Sequence, residues 1–228
     1  MIPVYIISLE RCLERREKMA WLMEHYKIPY TFFDAVDSTR LTKQDLDLAD
    51  LALAEEYCGH KLSLAEVACA LSHIKLYEKQ VNEKIERMII LEDDAHIHMN
   101  FKGIVDSVSS MSSYDLIYLY HGKAKKMPIY TSLVNGYRLH KYRKPSKKSK
   151  RGIMGAVGYI LTLDGAKKLL QIAYPIRMPA DYLLGRLQLN NLNAYGVEPS
   201  CIDVDLVKTT IEDRAYGHYL ETNDSSKN

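Results

Sequence analysis

The apolar positions of this 228-residue chain change period again and again, and each change marks an element. Val4 to Leu9 is a short aliphatic run of strand character. From about Glu10 to Tyr26 the residues Cys12, Met19, Leu22, Met23 and Tyr26 recur on one helical stripe, with Arg15 inside it and Arg16 at its edge. Tyr30 to Val36 reads as a second strand and polar residues 37–45 as a loop. Ser63-Leu64-Ala65-Glu66 is a capping box that opens a helix to about Lys79, with Leu64, Val67, Ala68, Leu71 and Ile74 as its apolar face. The run Met88-Ile89-Ile90-Leu91 has the continuous hydrophobicity of a strand covered on both faces. A helix over 100–113 and a strand from Tyr114 to Tyr120 follow, then a hairpin over 127–142 turning at Asn135-Gly136. Tyr159 to Leu163 is a further strand, Asp164-Gly165 opens a helix to about Ala173, Asp181 starts a short helix, and Val197-Glu198-Pro199 closes a last strand. Strands alternating with helices predict an α/β sheet. Residues 1–220 read as one domain without internal repeat, and polar residues 221–228 as a disordered tail.

Composition narrows the setting. The chain is 47% hydrophobic, enough for one sizeable core. Its net charge of +2 hides a segregation: Lys141 to Arg151 holds seven basic residues and no acid. Setting those seven aside leaves 24 of the 31 basic residues against 29 acidic ones, so the body is mildly acidic. Cys12, Cys58, Cys69 and Cys201 form no C-x-x-C pair and no zinc spacing, which fits free thiols in a reducing cytoplasm. The N-terminus reads as a strand rather than a signal peptide, and no apolar stretch approaches the ~18 residues of a membrane span.

The sharpest chemistry lies where the Met88–Leu91 run ends in Glu92-Asp93-Asp94. Three adjacent carboxylates repel one another unless a cation sits among them. Strand alternation would send Glu92 and Asp94 to one side and Asp93 to the other. An acidic-x-acidic pair suits Mn²⁺ or Mg²⁺ already holding a diphosphate. The plain alternative is an acidic turn after a core strand. Arg15 and Arg16, on the sheet-facing side of a first helical turn, point toward the crevice where open α/β sheets bind ligands. They either snorkel over the sheet edge or reach a phosphate.

Five stretches, taken in order, resemble glycosyltransferase family 25, the bacterial lipooligosaccharide galactosyltransferases related to the collagen galactosyltransferases. They are Val4-Tyr5-Ile6-Ile7-Ser8-Leu9 with Arg11, Arg15 and Arg16; Leu62 through His73; Ile90-Leu91-Glu92-Asp93-Asp94-Ala95; Gly155 through Thr162 followed by Gly165-Ala166-Lys167-Lys168-Leu169-Leu170; and Pro179-Ala180-Asp181. Ala65 departs from the pattern, which more often has glycine before Glu66. The resemblance implies a GT-A type nucleotide-binding mixed sheet flanked by helices. It also implies a UDP-sugar donor, usually UDP-galactose, inversion at the anomeric carbon and a divalent metal at the Glu92-Asp93-Asp94 position. The acceptor would be a lipooligosaccharide or related glycan at the inner face of the cytoplasmic membrane.

On that resemblance Ser8, Leu9, Arg11, Arg15, Arg16, Ser72, His73, Gly155 and Gly158 are candidates for the donor site. His73 could equally be a satisfied core histidine, and Gly155 and Gly158 could serve tight packing alone. Glu92 and Asp94 would hold the metal, with His218 as a late third ligand. Asp181 is the candidate general base, with Asp93 next; as a helix N-cap Asp181 would be equally at home. The basic run 141–151 is a solvated loop, a lid over donor phosphates, or a patch for peripheral contact with anionic inner-membrane lipids. A nucleotidyltransferase would share the crevice and the metal but would carry a glycine-rich, lysine-containing loop after the first strand, where Glu10-Arg11-Cys12-Leu13 has no glycine. A nucleic-acid-binding module using 141–151 would want interleaved aromatics beyond Tyr142 and a less acidic body, so nucleic acid is not expected as a partner. The oligomeric state is left open.

Overall fold

The Val4–Ser8 run forms β1, and it pairs in parallel with β2 (Thr31–Asp34) on one side and β3 (Arg87–Glu92) on the other. The computed structural model describes residues 2–122 and 124–204; the 221–228 tail and His218 lie outside the described residues. Numbering continues through β4 (Ala95–Ile97), β5 (Leu116–Tyr118), β6 (Lys126–Ser132), β7 (Arg138–Tyr142), β8 (Gly158–Thr162), β9 (Ala194–Glu198) and β10 (Ile202–Val204). Among the described residues, eight strands make one mixed sheet in the order β2-β1-β3-β8-β5-β9-β7-β6. β8 is inserted antiparallel between β3 and β5, and β5 pairs in parallel with β9. The β6–β7 hairpin forms the far edge, turning where Asn135 (φ 52°) and Gly136 (φ 82°) take left-handed conformations. The fold is thus the α/β sheet flanked by helices that the alternation of elements predicts.

Strand alternation decides which helices cover which face. Ile7, Ile90, Leu116, Tyr118, Tyr159 and Leu161 face α4 (Leu64–Asn82), α6 (Leu163–Ala173) and α7 (Ala180–Gly185). Ile6, Ile89, Leu91, Ile117 and Ile160 face α1 (Leu13–His25) and α5 (Phe101–Ser109), which contribute Met19, Leu22, Met23, Ile104 and Val108. A three-layer sandwich with two apolar cores follows, and the central strands are covered on both sides. The capping box at the start of α4 is complete: Glu66 N donates to Ser63 Oγ at 3.2 Å, and Ser63 N to Glu66 Oε2 at 2.8 Å.

The structure departs from the sequence expectations in a few places. Residues 37–45 are not a plain loop. Asp37 caps a short 3-10 turn (Ser38–Arg40), and Thr42 and Asp45 form a capping box for α2 (Lys43–Asp47), so local side-chain bonds organise a polar stretch. α3 (Leu51–Cys58) and the short α8 (Leu187–Asn190) were not expected. Neither was the two-stranded sheet of β4 and β10, whose three-residue strands are too short to show a period. Among the described residues no helix is long and apolar enough to cross a membrane.

His121, just past β5, carries a pH signature. Its ring lies edge-on to Tyr142 with centroids 5.2 Å apart, and Nε2 is 3.6 Å from Glu198 Oε1. Burial holds the imidazole below its ordinary pKa of 6.5, although Glu198 pulls the other way. The unfolded chain therefore takes up a proton at a pH where the folded chain does not. Stability is retained above about pH 6.5 and declines as pH falls below it. His121→Gln should flatten the decline of the urea midpoint between about pH 7 and about pH 5. An unaltered slope would assign the acid sensitivity to other groups.

Candidate active site

The register of the first three strands builds a crevice. Ile7 stands opposite Glu92 and Ser8 opposite Asp34, so the carboxyl ends of β1, β2 and β3 finish together. Such ends, with helix termini around them, are where open α/β sheets bind ligands. The pocket found there is lined by Ser8 and Leu9 after β1, by Arg11, Cys12 and Arg15 at the start of α1, and by Ala35, Val36 and Ser38 after β2. Its opposite wall is one stripe of α4 (Ala65, Ala68, Cys69, Ser72 and His73), and its floor is Glu92, Asp93 and Asp94. Alanine and cysteine at three- and four-residue spacing keep that helix face low, which leaves room beside the strand ends.

Each carboxylate has its own surroundings. Asp93 accepts from Ser8 Oγ at 2.7 Å through Oδ2 and from Arg15 Nη1 at 2.8 Å through Oδ1. Glu92 Oε1 lies 3.2 Å from His73 Nε2. Asp94 Oδ1 is buried from solvent, where an ionised oxygen gains most from a nearby cation. The strand ends at Glu92 and residues 93–94 form a turn. The expected split of side chains between two faces therefore does not hold, and all three carboxylates line one pocket.

His73 is fully buried at the head of a hydrogen-bonded chain. Its Nδ1 is 2.7 Å from Tyr159 Oη, which is 2.8 Å from Tyr77 Oη. Burial pushes both phenols well above their ordinary range, so they act as neutral hydroxyls. The two readings of His73 are thus both present in the structure: it is satisfied within the core and its Nε2 edge faces the pocket. Ser72 Oγ donates to Ala68 O at 2.7 Å and accepts from Val36 N at 2.9 Å, pinning the segment after β2 to α4. Arg11 Nε donates to Asp37 at 2.7 Å, and this bond, more than that from Thr39, holds the Asp37 carboxyl well below the usual carboxylate range.

Other candidates stand apart from the pocket. Arg16 turns from it: Nη2 donates to Asp34 Oδ1 at 2.5 Å and to Ser8 O at 2.7 Å, and its guanidinium lies over Phe32. Of the two arginines Arg15, not Arg16, lines the pocket. Gly155 and Gly158 pack against protein. A Cβ at Gly158 would meet Ile202 Cδ1 at 2.5 Å, and one at Gly155 (φ 128°) would meet Tyr120 Cδ1 at 3.0 Å. Asp181 is not the helix N-cap, a position held by Pro179; its Oδ1 accepts from Gly155 N at 3.0 Å and Ala156 N at 2.7 Å, tying the strand-leading loop to α7.

The basic run begins away from the pocket. β9 runs parallel to β3 through β8 and β5, so Lys141, opposite Tyr195 near the amino end of β9, lies at the sheet edge away from the carboxyl ends of β1 and β3. Lys141, Arg143 and Lys144 line a shallow groove there with Asn191 and Asn193. Gln188 Nε2 then holds the carbonyls of Ser149 and Arg151 against α8.

Sequence reasoning missed Ile7, Cys12, Ala35, Val36, Ser38, Ala65 and Ala68 as lining residues, and marks Cys69 only as a small residue beside His73 that allows close approach of a ligand. For the α4 group a signal existed in the small residues that share a flank with His73. For the others none did, because they come from strand ends and turns that only pairing brings together.

Comparison with known proteins agrees with this arrangement. The profile of glycosyltransferase family 25, described as an LPS biosynthesis protein family, matches residues 1–184, which include every lining residue of the pocket. The human inactive glycosyltransferase 25 family member 3 is 31% identical over 192 residues, covering 79% of this chain and 31% of its own length. A glycosyltransferase 25 family member of Aedes aegypti is 29% identical over 184 residues, covering 74% of this chain and 28% of its own. The chain thus spans under a third of the length of these relatives, and one of the two is named as inactive. From the ordered motifs, the pocket they assemble and the profile match, the chain belongs to glycosyltransferase family 25.

Proposed function

We propose that the chain transfers a sugar, galactose in the first instance, from a UDP-sugar to a hydroxyl of a lipooligosaccharide or related glycan, with inversion at the anomeric carbon. The observation that carries this reading is the meeting of Ser8, Arg15, Glu92, Asp93 and Asp94 in one pocket at the carboxyl ends of β1 and β3. A nucleotide there would lie along Ser8 and Leu9, with its diphosphate toward Arg15 and the carboxylates.

Asp93 is committed to Ser8 and Arg15, so Glu92 and Asp94 are the oxygen donors suited to a hard divalent ion such as Mn²⁺ or Mg²⁺. Such an ion supplies charge neutralisation on the diphosphate as UDP departs. Asp93 fixes the Arg15 guanidinium, whose planar donors suit a phosphate oxygen. The sugar extends away from the nucleotide, so the group that takes the acceptor's proton is expected beyond the pocket rim. Asp181 is assigned that role: it lies on α7, which packs against α4, the wall of the pocket. Exposed cations at Lys141, Arg143 and Lys144 support peripheral contact with anionic lipid, which would bring the enzyme to a membrane-borne acceptor.

The test is a panel of UDP-sugars incubated with the protein and a lipooligosaccharide acceptor, with and without Mn²⁺, following UDP release. UDP-galactose should be consumed fastest, and chelation should stop the reaction. Consumption of no UDP-sugar under any of these conditions would overturn the reading and place this chain with the relatives named inactive.

A further inference from the structure

We propose that Cys69, His73 and Glu92 form a binding site for a thiophilic divalent cation of the Zn²⁺ class. Cys69 and His73 are four residues apart on α4, so their side chains stack on the one face that lines the pocket. Glu92 reaches them from the end of β3. A Cys69 sulfur, a His73 ring nitrogen and a Glu92 oxygen all lie within 4.8 Å of one another. Bonds of ~2.0–2.3 Å in a tetrahedral zinc site place neighbouring ligand atoms about 3.3–3.7 Å apart. The His73 Nε2 to Glu92 Oε1 distance is already 3.2 Å, so drawing in the Cys69 sulfur, which lies within 4.8 Å of both, completes three ligands.

The surroundings of His73 suit this use. Ligating histidines are held by a hydrogen bond at the other ring nitrogen, and here Nδ1 meets Tyr159 Oη at 2.7 Å, backed by Tyr77 Oη. Without a cation, Tyr159 donates to Nδ1 and Nε2–H donates to Glu92. With one, the thiol proton of Cys69 passes to solvent, the imidazole gives up its Nε2 proton and takes one at Nδ1, and Nε2 coordinates. Nδ1–H then donates to Tyr159, whose hydroxyl turns to Tyr77. The ring does not move between the two states.

Three protein ligands leave a fourth position open to the pocket, for water or a ligand oxygen. The ligand types decide the cation: thiolate and imidazole favour Zn²⁺, whereas the all-oxygen pair Glu92 and Asp94 favours Mn²⁺ or Mg²⁺. Glu92 belongs to both sets, so a Zn²⁺ ion would withdraw one oxygen from the hard-ion pair. That consequence, unlike the site itself, rests on the proposed sugar transfer.

Co²⁺ serves as the spectroscopic probe. Metal-stripped protein, reduced with a phosphine, should develop a thiolate-to-Co²⁺ charge-transfer band and intense four-coordinate visible bands, both bleached by one equivalent of Zn²⁺. Cys69→Ser should lose the charge-transfer band and bind Zn²⁺ at least ~10-fold more weakly in competition with a chromophoric chelator. Tyr159→Phe should keep the band with Zn²⁺ affinity lowered ~10-fold or more. Cys58→Ser should match the parent. Absence of a charge-transfer band in the parent protein, or a band that survives Cys69→Ser, overturns the proposal. UDP binding in Mn²⁺, followed on the same samples, tests the sugar-transfer reading separately, because its failure would not alter the Co²⁺ spectrum.

Discussion

Asp94→Asn should remove Mn²⁺-dependent transfer almost entirely while the protein stays folded. The side chain sits in the turn after β3 and belongs to neither apolar core, so an isosteric amide leaves the packing intact. It does remove a charged oxygen from the pair that suits a hard cation. Charge neutralisation by a divalent ion is worth several kcal/mol in such transfers, which corresponds to ~10²-fold or more in rate. Glu92→Gln should lose less, because the amide oxygen can still meet His73 Nε2. Rate against Mn²⁺ concentration, with the thermal midpoint as a folding control, reads both. Transfer by Asp94→Asn at the parental rate would remove Asp94 from the metal pair.

Asp181 separates chemistry from architecture. Its Oδ1 accepts two backbone N–H groups from the loop leading into β8, and an asparagine carbonyl can accept the same two bonds. Asp181→Asn should therefore retain stability, whereas Asp181→Ala abandons two buried donors at a cost of ~1–3 kcal/mol each. If the carboxylate also takes the acceptor's proton, Asp181→Asn loses ~10²–10⁴-fold in transfer with donor binding intact. A structural clamp alone predicts the reverse, with an active asparagine variant and a crippled alanine one. The informative comparison is transfer rate against thermal midpoint for both substitutions. An active Asp181→Asn protein would send the search for the base elsewhere. Asp93, engaged by Ser8 and Arg15, would have to exchange those partners to serve.

The sequence made the fold's skeleton readable wherever an element was long enough to show its period. The Ser63–Glu66 capping box announces α4, the Met88–Leu91 run announces a strand covered on both faces, and Asn135-Gly136 announces the hairpin. The structure bears out all three. Strand order was not legible, because the antiparallel insertion of β8 between β3 and β5 depends on partners far apart in sequence. At the site, Ser8, Leu9, Arg11, Arg15, Ser72, His73 and the three carboxylates were singled out from motifs, and they line one pocket. What could not be read was direction. Arg15 and Arg16 are neighbours on one helix, yet one faces Asp93 and the other Asp34, a difference set by a single step of about 100°. The role of Cys69 was hidden for a similar reason: zinc patterns are sought between cysteines, whereas here the partners are a histidine one turn along α4 and a glutamate at the end of β3.

The central claim is that the pocket at the ends of β1 and β3 receives a nucleoside diphosphate, and calorimetry of UDP in the presence of Mn²⁺ tests it most directly. The parent protein should bind UDP. Arg15→Ala should weaken binding ~10–150-fold, the loss of ~1.5–3 kcal/mol expected for one charge-assisted contact. Arg16→Ala, whose guanidinium serves Asp34 and the Ser8 carbonyl, should change it far less. A parent protein that gives no heat with UDP and Mn²⁺, or an Arg15→Ala variant that binds UDP as tightly as the parent, would contradict the account.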